Sequence, residues 1–459
     1  MGIAVELEGS MQNFLCNSWS GFGILSSMTR TGTWMMTALG WLLVTTGLVR
    51  GGGAVEDWPQ FRGGNGQGTV EATGLPLTWS ETNHVVWKTP IHGRAWSSPV
   101  VQDGRVWVTT ATEDGRELSV VSVDFKTGKV GLDQKLFEVE KPQFAHKFNT
   151  YASPTPVAEK GRLYVTFGSP GTACLDSRTG KKLWERRDIE CNHFRGAGSS
   201  PILYRNLLIM NFDGSDRQFV TALDKRTGKT VWRTERSIDY KDLQPDGKPE
   251  ADGDWRKAYG TPHVAMFEGK PLLITQGAKA VYGYEPMTGK EQWRVEERSS
   301  HSAGTRPVVT ADTIYVPSGW SQGQLLAIRP GGTGDVTETH VRWRIKRSVP
   351  KKPSLVMANG LLFLVDDGGL AGCVDPVTGE EIWRERVGGN FSASPIAAAG
   401  RVYFFNEEGK AVVVAASRQF SILARNELAD GFMASPAVSG RSLILRTKTA
   451  LYRIEAPSK

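Results

Sequence analysis

The chain has 459 residues, with 55 Lys and Arg against 48 Asp and Glu, and it is rich in Gly (52) and Trp (15). Its positive charge is scattered, with no block longer than pairs such as Arg186-Arg187 and Lys351-Lys352, which argues against a nucleic-acid surface and for a solvated, mixed-charge one. Four cysteines (Cys16, Cys174, Cys191, Cys373), none adjacent and none in a Cys-x-x-Cys, argue against a disulfide framework and a thiolate zinc site.

The chain opens with a leader, residues 1–54. Arg30 precedes the uncharged run Trp34 to Val49, and Gly51-Gly-Gly-Ala54 follows it. A basic start, a short apolar stretch and small residues are the pattern of a secretory signal, with Met28 as a possible true start. The run is short for a spanning helix, which needs about 20 residues. The expectation is an exported protein, periplasmic, envelope-associated or secreted, with membrane contact only through an uncleaved leader. Residues 55–83 read as a lead-in.

From residue 84 to 455 a repeat dominates. Its opening, a residue before proline and then a strand, stands at Ser98-Pro99, Ser153-Pro154, Ser200-Pro201, Thr261-Pro262, Arg306-Pro307, Lys352-Pro353, Ser394-Pro395 and Ser435-Pro436. A turn and a second β-branched or aromatic strand follow each time, as in Gly161-Arg-Leu-Tyr-Val165 and Gly400-Arg-Val-Tyr-Phe404. Spacings of roughly 40–60 residues match the four-stranded blade of propeller repeats. Eight openings predict an all-β, eight-bladed β-propeller of four-stranded antiparallel blades.

The most specific element is Asp-x-x-Thr-Gly-(x)3-Trp, at Asp176 to Trp184, Asp224 to Trp232 and Asp375 to Trp383, with Glu285 to Trp293 a variant. Asp bonds backbone groups just ahead, Gly supplies the left-handed residue of a bulged turn, and the Trp packs between blades. Trp343 is read as another docking residue, and Leu132 takes the Trp place in the first copy. The last repeat ends at its third strand, Leu451-Tyr-Arg-Ile454. Val85-Val-Trp87-Lys88 supplies the missing fourth from the other end of the chain, closing the ring and hiding both edges.

These motifs resemble the quinoprotein-type (PQQ-like repeat) propellers, which include pyrroloquinoline-quinone dehydrogenases and the assembly lipoprotein BamB. Trp58-Pro-Gln-Phe-Arg-Gly63, Asn211-Phe-Asp-Gly-Ser-Asp216 and Phe391-Ser-Ala-Ser-Pro395 are similar to secreted planctomycete-type members. For a dehydrogenase the resemblance implies PQQ and calcium in the central funnel, a catalytic Asp and a vicinal disulfide. No adjacent cysteines exist here and no calcium ligand set stands out, so a binding or scaffold protein without catalysis is expected. A PQQ- and calcium-dependent alcohol or sugar dehydrogenase is the alternative.

Topology places the candidate site on the face carrying the second-to-third strand loops and the inter-blade connections, the longest being residues 234–259. Trp96, His146, His193, Arg195, His301, Arg306 and Trp320 are candidate funnel-lining residues for an anion, a ring or a metal. Asp213 and Asp216 are candidate calcium ligands. The expected partners are envelope or extracellular proteins, or a small ligand in the funnel.

Overall fold

The computed structural model describes residues 55–457. The expected leader, 1–54, lies outside them. Among the described residues no helix is long and apolar enough to cross a membrane.

Eight sheets of four antiparallel strands, two of them with a short parallel fifth, follow one another around a ring. Blade 1 is built from Val100–Gln102, Arg105–Ala111, Glu117–Asp124 and Val130–Glu138. Blades 2 to 7 begin at Val157–Glu159, Ile202–Tyr204, His263–Phe267, Val308–Val309, Val356–Ala358 and Ile396–Ala398. Blade 8 takes three strands from the end of the chain (Ala437–Ser439, Ser442–Arg446, Ala450–Ile454) and its outermost from Val85–Pro90, antiparallel to Ala450–Ile454. The closure read from the sequence is therefore the one observed.

The docking motif works between neighbours. In the turn, the Asp124 carboxylate accepts the Thr127 N–H at 2.8 Å, and Gly128 sits at φ +73°. Trp87, on the outer strand of blade 8, donates its indole N–H to Phe125 O at 2.9 Å, and its ring lies flat against Gly128. The same geometry joins Trp184 to Lys225 O, Trp232 to Pro286 O, Trp343 to Pro376 O and Trp383 to Ser417 O, each in the next blade. Gly228 and Gly379 leave room for Trp184 and Trp343: a Cβ there would come within 2.7 and 2.6 Å of the indole. Leu132 fills the corresponding place against Gly180. Trp293 departs from the pattern. It is fully buried, but blade 5 lacks the Asp-x-x-Thr-Gly turn: its third and fourth strands are joined by a longer connection whose Gly334 pairs with Trp293, and the indole N–H has no partner among the described residues.

Two openings sit two residues from where the sequence places them. The strand of blade 2 follows Thr155-Pro156 rather than Ser153-Pro154, and that of blade 6 follows Ser354-Leu355 rather than Lys352-Pro353. Both stretches hold two candidate starts, and pairing with the second strand selects the later one. In the corrected register the residue two places before each inner strand is a hydroxyl amino acid in seven blades and Arg306 in blade 5.

Those residues join the blades in a ring. Ser98 N–H donates to Thr155 Oγ1 at 2.9 Å, Thr155 N–H to Ser200 Oγ at 3.0 Å, and Ser200 N–H to Thr261 Oγ1 at 3.2 Å. Arg306 N–H donates to Ser354 Oγ at 3.0 Å, Ser354 N–H to Ser394 Oγ at 2.9 Å and Ser394 N–H to Ser435 Oγ at 2.8 Å. Ser435 N–H returns to Ser98 Oγ at 3.0 Å. The link missing between Thr261 and Arg306 is the one for which Arg306 has no hydroxyl to offer.

The lead-in is a plug. Trp58 exchanges backbone hydrogen bonds with Val101, and Pro59 O accepts from Ala158 N–H. Gln67 donates to His263 Nε2 and accepts from Val309 N–H. The Arg62 guanidinium reaches Pro395 O and Leu355 O, and Thr69–Val70 runs parallel to Ala397–Ala398. One short segment thus crosses the axis and holds six blades, on the side of the first-to-second strand turns.

Candidate functional site

At the other end of the axis the connections leading into all eight blades converge on one cavity of about 590 Å³. It falls within the size range of small-ligand pockets, roughly 300–1,000 Å³. Trp96 comes from the connection into blade 1, His146, Phe148 and Asn149 from that into blade 2, and Arg195 from that into blade 3. Asp254, Lys257 and Tyr259 lead into blade 4, His301 and Ser302 into blade 5, and Lys351 and Lys352 into blade 6. Ser392 and Met433 complete the wall, while Trp320 reaches in from the second-to-third loop of blade 5, where Trp320–Ser321 pairs with Ser300–His301.

The wall is cationic. Asp254 is its one carboxylate among the described residues, and it is shared by two cations: Arg195 (3.0 and 3.2 Å) and Lys257, whose ammonium is in ion-pair contact. Lys352 is balanced by Glu407 at 2.8 Å. Lys351 has no carboxylate partner among the described residues, and its ammonium lies 4.7 Å from the Trp320 ring centre. Burial and the nearby cations Lys257 and Arg195 push His301 down to about 4. Burial and Arg195 also lower His146, so both imidazoles face the cavity neutral at neutral pH. Phe148 extends over the mouth to within 5.8 Å of Lys352, and Trp96 donates to Phe148 O at 3.2 Å.

The structure brings Trp96, His146, Arg195, His301 and Trp320 together on this wall. It places four other candidates elsewhere. His193 is turned into the layer beneath, where Nε2 accepts from Ser169 N–H at 3.0 Å, because the blade 2–3 connection folds back on Gly168. Arg306 turns toward the plug and donates to Phe61 O at 2.5 Å. Asp213 forms a two-point ion pair with Arg236 (2.8 and 2.7 Å), and both side chains are fully buried. Asp216 caps its own loop, accepting from Asn192 and Arg217 N–H. Sequence reading missed Asp254, Lys257, Lys351, Lys352 and Phe148 as wall residues. Signals for them existed in the long charged connection 234–259 and the Lys351-Lys352 pair, but neither has the local spacing of a motif.

These residues do not fit a calcium–quinone pair. Calcium takes 6–8 oxygen ligands, whereas the wall offers one carboxylate whose oxygens are engaged by cations. Among the described residues no group of three or more His, Cys, Asp or Glu is arranged to hold a metal. Cys174, Cys191 and Cys373 are buried, unpaired and far apart in sequence.

Solved structures share the architecture. A quinohemoprotein alcohol dehydrogenase from Comamonas testosteroni superposes with a TM-score of 0.63 at 13% identity, covering 88% of this chain and 81% of its own. A europium-containing methanol dehydrogenase gives 0.60 at 13% identity, covering 86% and 90%. BamB from Moraxella catarrhalis gives 0.53 at 13% identity, covering 81% and 99%. At such identities the likeness is one of fold. No curated protein matches the sequence. The model of the family "outer membrane protein assembly factor BamB" matches residues 64–187 and 216–457, the greater part of the repeat, and the chain therefore belongs to that PQQ-repeat propeller family.

Proposed function

We propose that this propeller is a non-catalytic binding protein of the cell envelope that docks an acidic partner through its funnel face. One observation carries the reading. All four exposed aromatic residues among the described ones, Phe144, Phe148, Trp255 and Trp320, lie on the connections and loops of this face, around a wall with more cations than carboxylates. Exposed aromatics around a charged centre are a feature of protein-binding surfaces, and the surplus positive charge selects a negatively charged partner. An acidic protein segment carrying an apolar residue suits both features. The family's assembly-factor name and the sequence pattern of the leader favour export.

The test has two parts. Purified protein given pyrroloquinoline quinone and calcium is expected to show no dye-linked oxidation of alcohols or sugars; turnover would replace the binding reading with the dehydrogenase one. A crosslinked partner recovered from envelope extract is expected to be lost with K351E or W320A at unchanged melting temperature. Retention by both variants would move docking off this face.

A further inference from the structure

Below the funnel the axis narrows into a second, polar space of about 100 Å³, between the hydroxyl ring and Phe61 of the plug. Its chemistry is one-sided. Each of the seven ring hydroxyls accepts a backbone N–H from the neighbouring blade, and none donates its own proton to any described residue. All seven side chains are at least nine-tenths buried, and six line this space. Buried O–H groups without acceptors are costly unless something fills the gap.

The charge is one-sided too. Arg62, Arg306 and Arg446 are buried at 1–3% exposure, and none has a carboxylate partner among the described residues. Arg446 donates to Ser97 O and Thr109 O, immediately behind the ring, while Arg62 and Arg306 reach carbonyls of the plug and of neighbouring blades. The Nε groups of Arg62 and Arg306 have no acceptor among the described residues. Burial holds each guanidinium down to about 9, with Arg306 adding to the effect at Arg62, so all three stay cationic at neutral pH. Three buried cations and a ring of free donors call for an acceptor carrying negative charge. Water relieves the donors but leaves the charge.

We infer that the hydroxyl ring on the propeller axis is a binding site for a small anion of chloride's size, at the floor of the funnel above the plug. The ion accepts from the ring hydroxyls and offsets the buried arginines. It ties the blades together at the point where the ring lacks one backbone link. The space shares Trp96, Lys352, Ser392 and Met433 with the funnel wall above it.

Crystals soaked in bromide test it directly. Anomalous scattering should place one bromide on the axis at the level of the ring, and displacement by formate would show that a carboxylate can take the same place. Water alone at that position would overturn the inference. In solution, the melting temperature in bromide or chloride should exceed that in gluconate at equal ionic strength by several degrees. The double variant T155V/T261V should lose that increment, whatever its own baseline stability, because the readout is the difference between two salts. An increment equal to that of the unaltered protein would assign the effect to the surface and sink the site. Bromide in the crystal without any increment in solution would mean binding at crystal concentration only, and would overturn the structural role claimed for the ion.

Discussion

Gly228 shows why the docking turn is legible residue by residue. Its φ of +72° is the left-handed region, which costs a non-glycine residue about 1–2 kcal/mol, and the Trp184 ring occupies the place where a Cβ would go. G228A should therefore destabilise the protein by at least ~1–2 kcal/mol, whereas G161A, equally left-handed but facing open space, should lose the backbone term alone. Chemical denaturation of the two variants separates these contributions, and equal losses would remove the Trp–Gly contact as a source of stability. The turn could be read because its pattern is local: Asp, Thr, Gly and Trp recur within nine residues, although each Trp docks on the turn of the next blade. Asp213 could not. Its loop reads as an acidic ligand cluster, but the Arg236 that neutralises it arrives from the far end of the blade, 23 residues on. His193 likewise occupies the right place in the repeat, and only the fold of its connection turns it away from the cavity.

At the scale of elements, the strands and the closure follow from pattern, and the plug does not. Val85–Pro90 announces itself because Trp87 copies the outer strand of other blades. Its pairing with Ala450–Ile454 and the Trp87–Phe125 hydrogen bond connect blade 8 to blade 1. Deleting residues 84–91 should lower the melting of the entire ring in one transition, since it exposes the edge of Ala450–Ile454 and removes one docking Trp. A truncated protein that melts like the full chain, or loses blade 8 alone, would contradict this. Residues 58–70 carry no repeat and no period, so nothing in their sequence says that they cross the axis. Their role depends on carbonyls and amides of six different blades. The same blindness produced the two-residue slip at Thr155 and Ser354: where two candidate starts stand side by side, only pairing with the next strand chooses between them. The hydroxyl ring was hidden by that slip, because five of its members were visible but the register that joins all seven was not.

For the whole molecule, eight near-identical sheets leave the axis as the place where their differences meet. The funnel face is legible as a face, from loop length and polarity. Its wall is not, because each blade contributes one or two residues and the cationic surplus exists only in their sum. The same convergence buries several imidazoles. His193 and His301 are each held down to about 4, His193 by burial and His301 by burial with Lys257 and Arg195, and burial with Arg306 and Arg62 keeps His263 well below its ordinary value. In the unfolded chain these rings protonate near pH 6.5. Between pH 6.5 and about 4 the unfolded state therefore binds more protons than the folded one, and stability must fall as the pH drops through that window. The melting temperature should decline steadily as the pH falls from 6.5 toward 4, before the carboxylates of the docking turns begin to protonate. H193Q, which keeps a group able to accept the Ser169 N–H but does not titrate, should flatten part of that decline. A melting temperature independent of pH between 7 and 4.5, or a decline that H193Q leaves untouched, would show that these buried imidazoles do not govern the acid response of the ring.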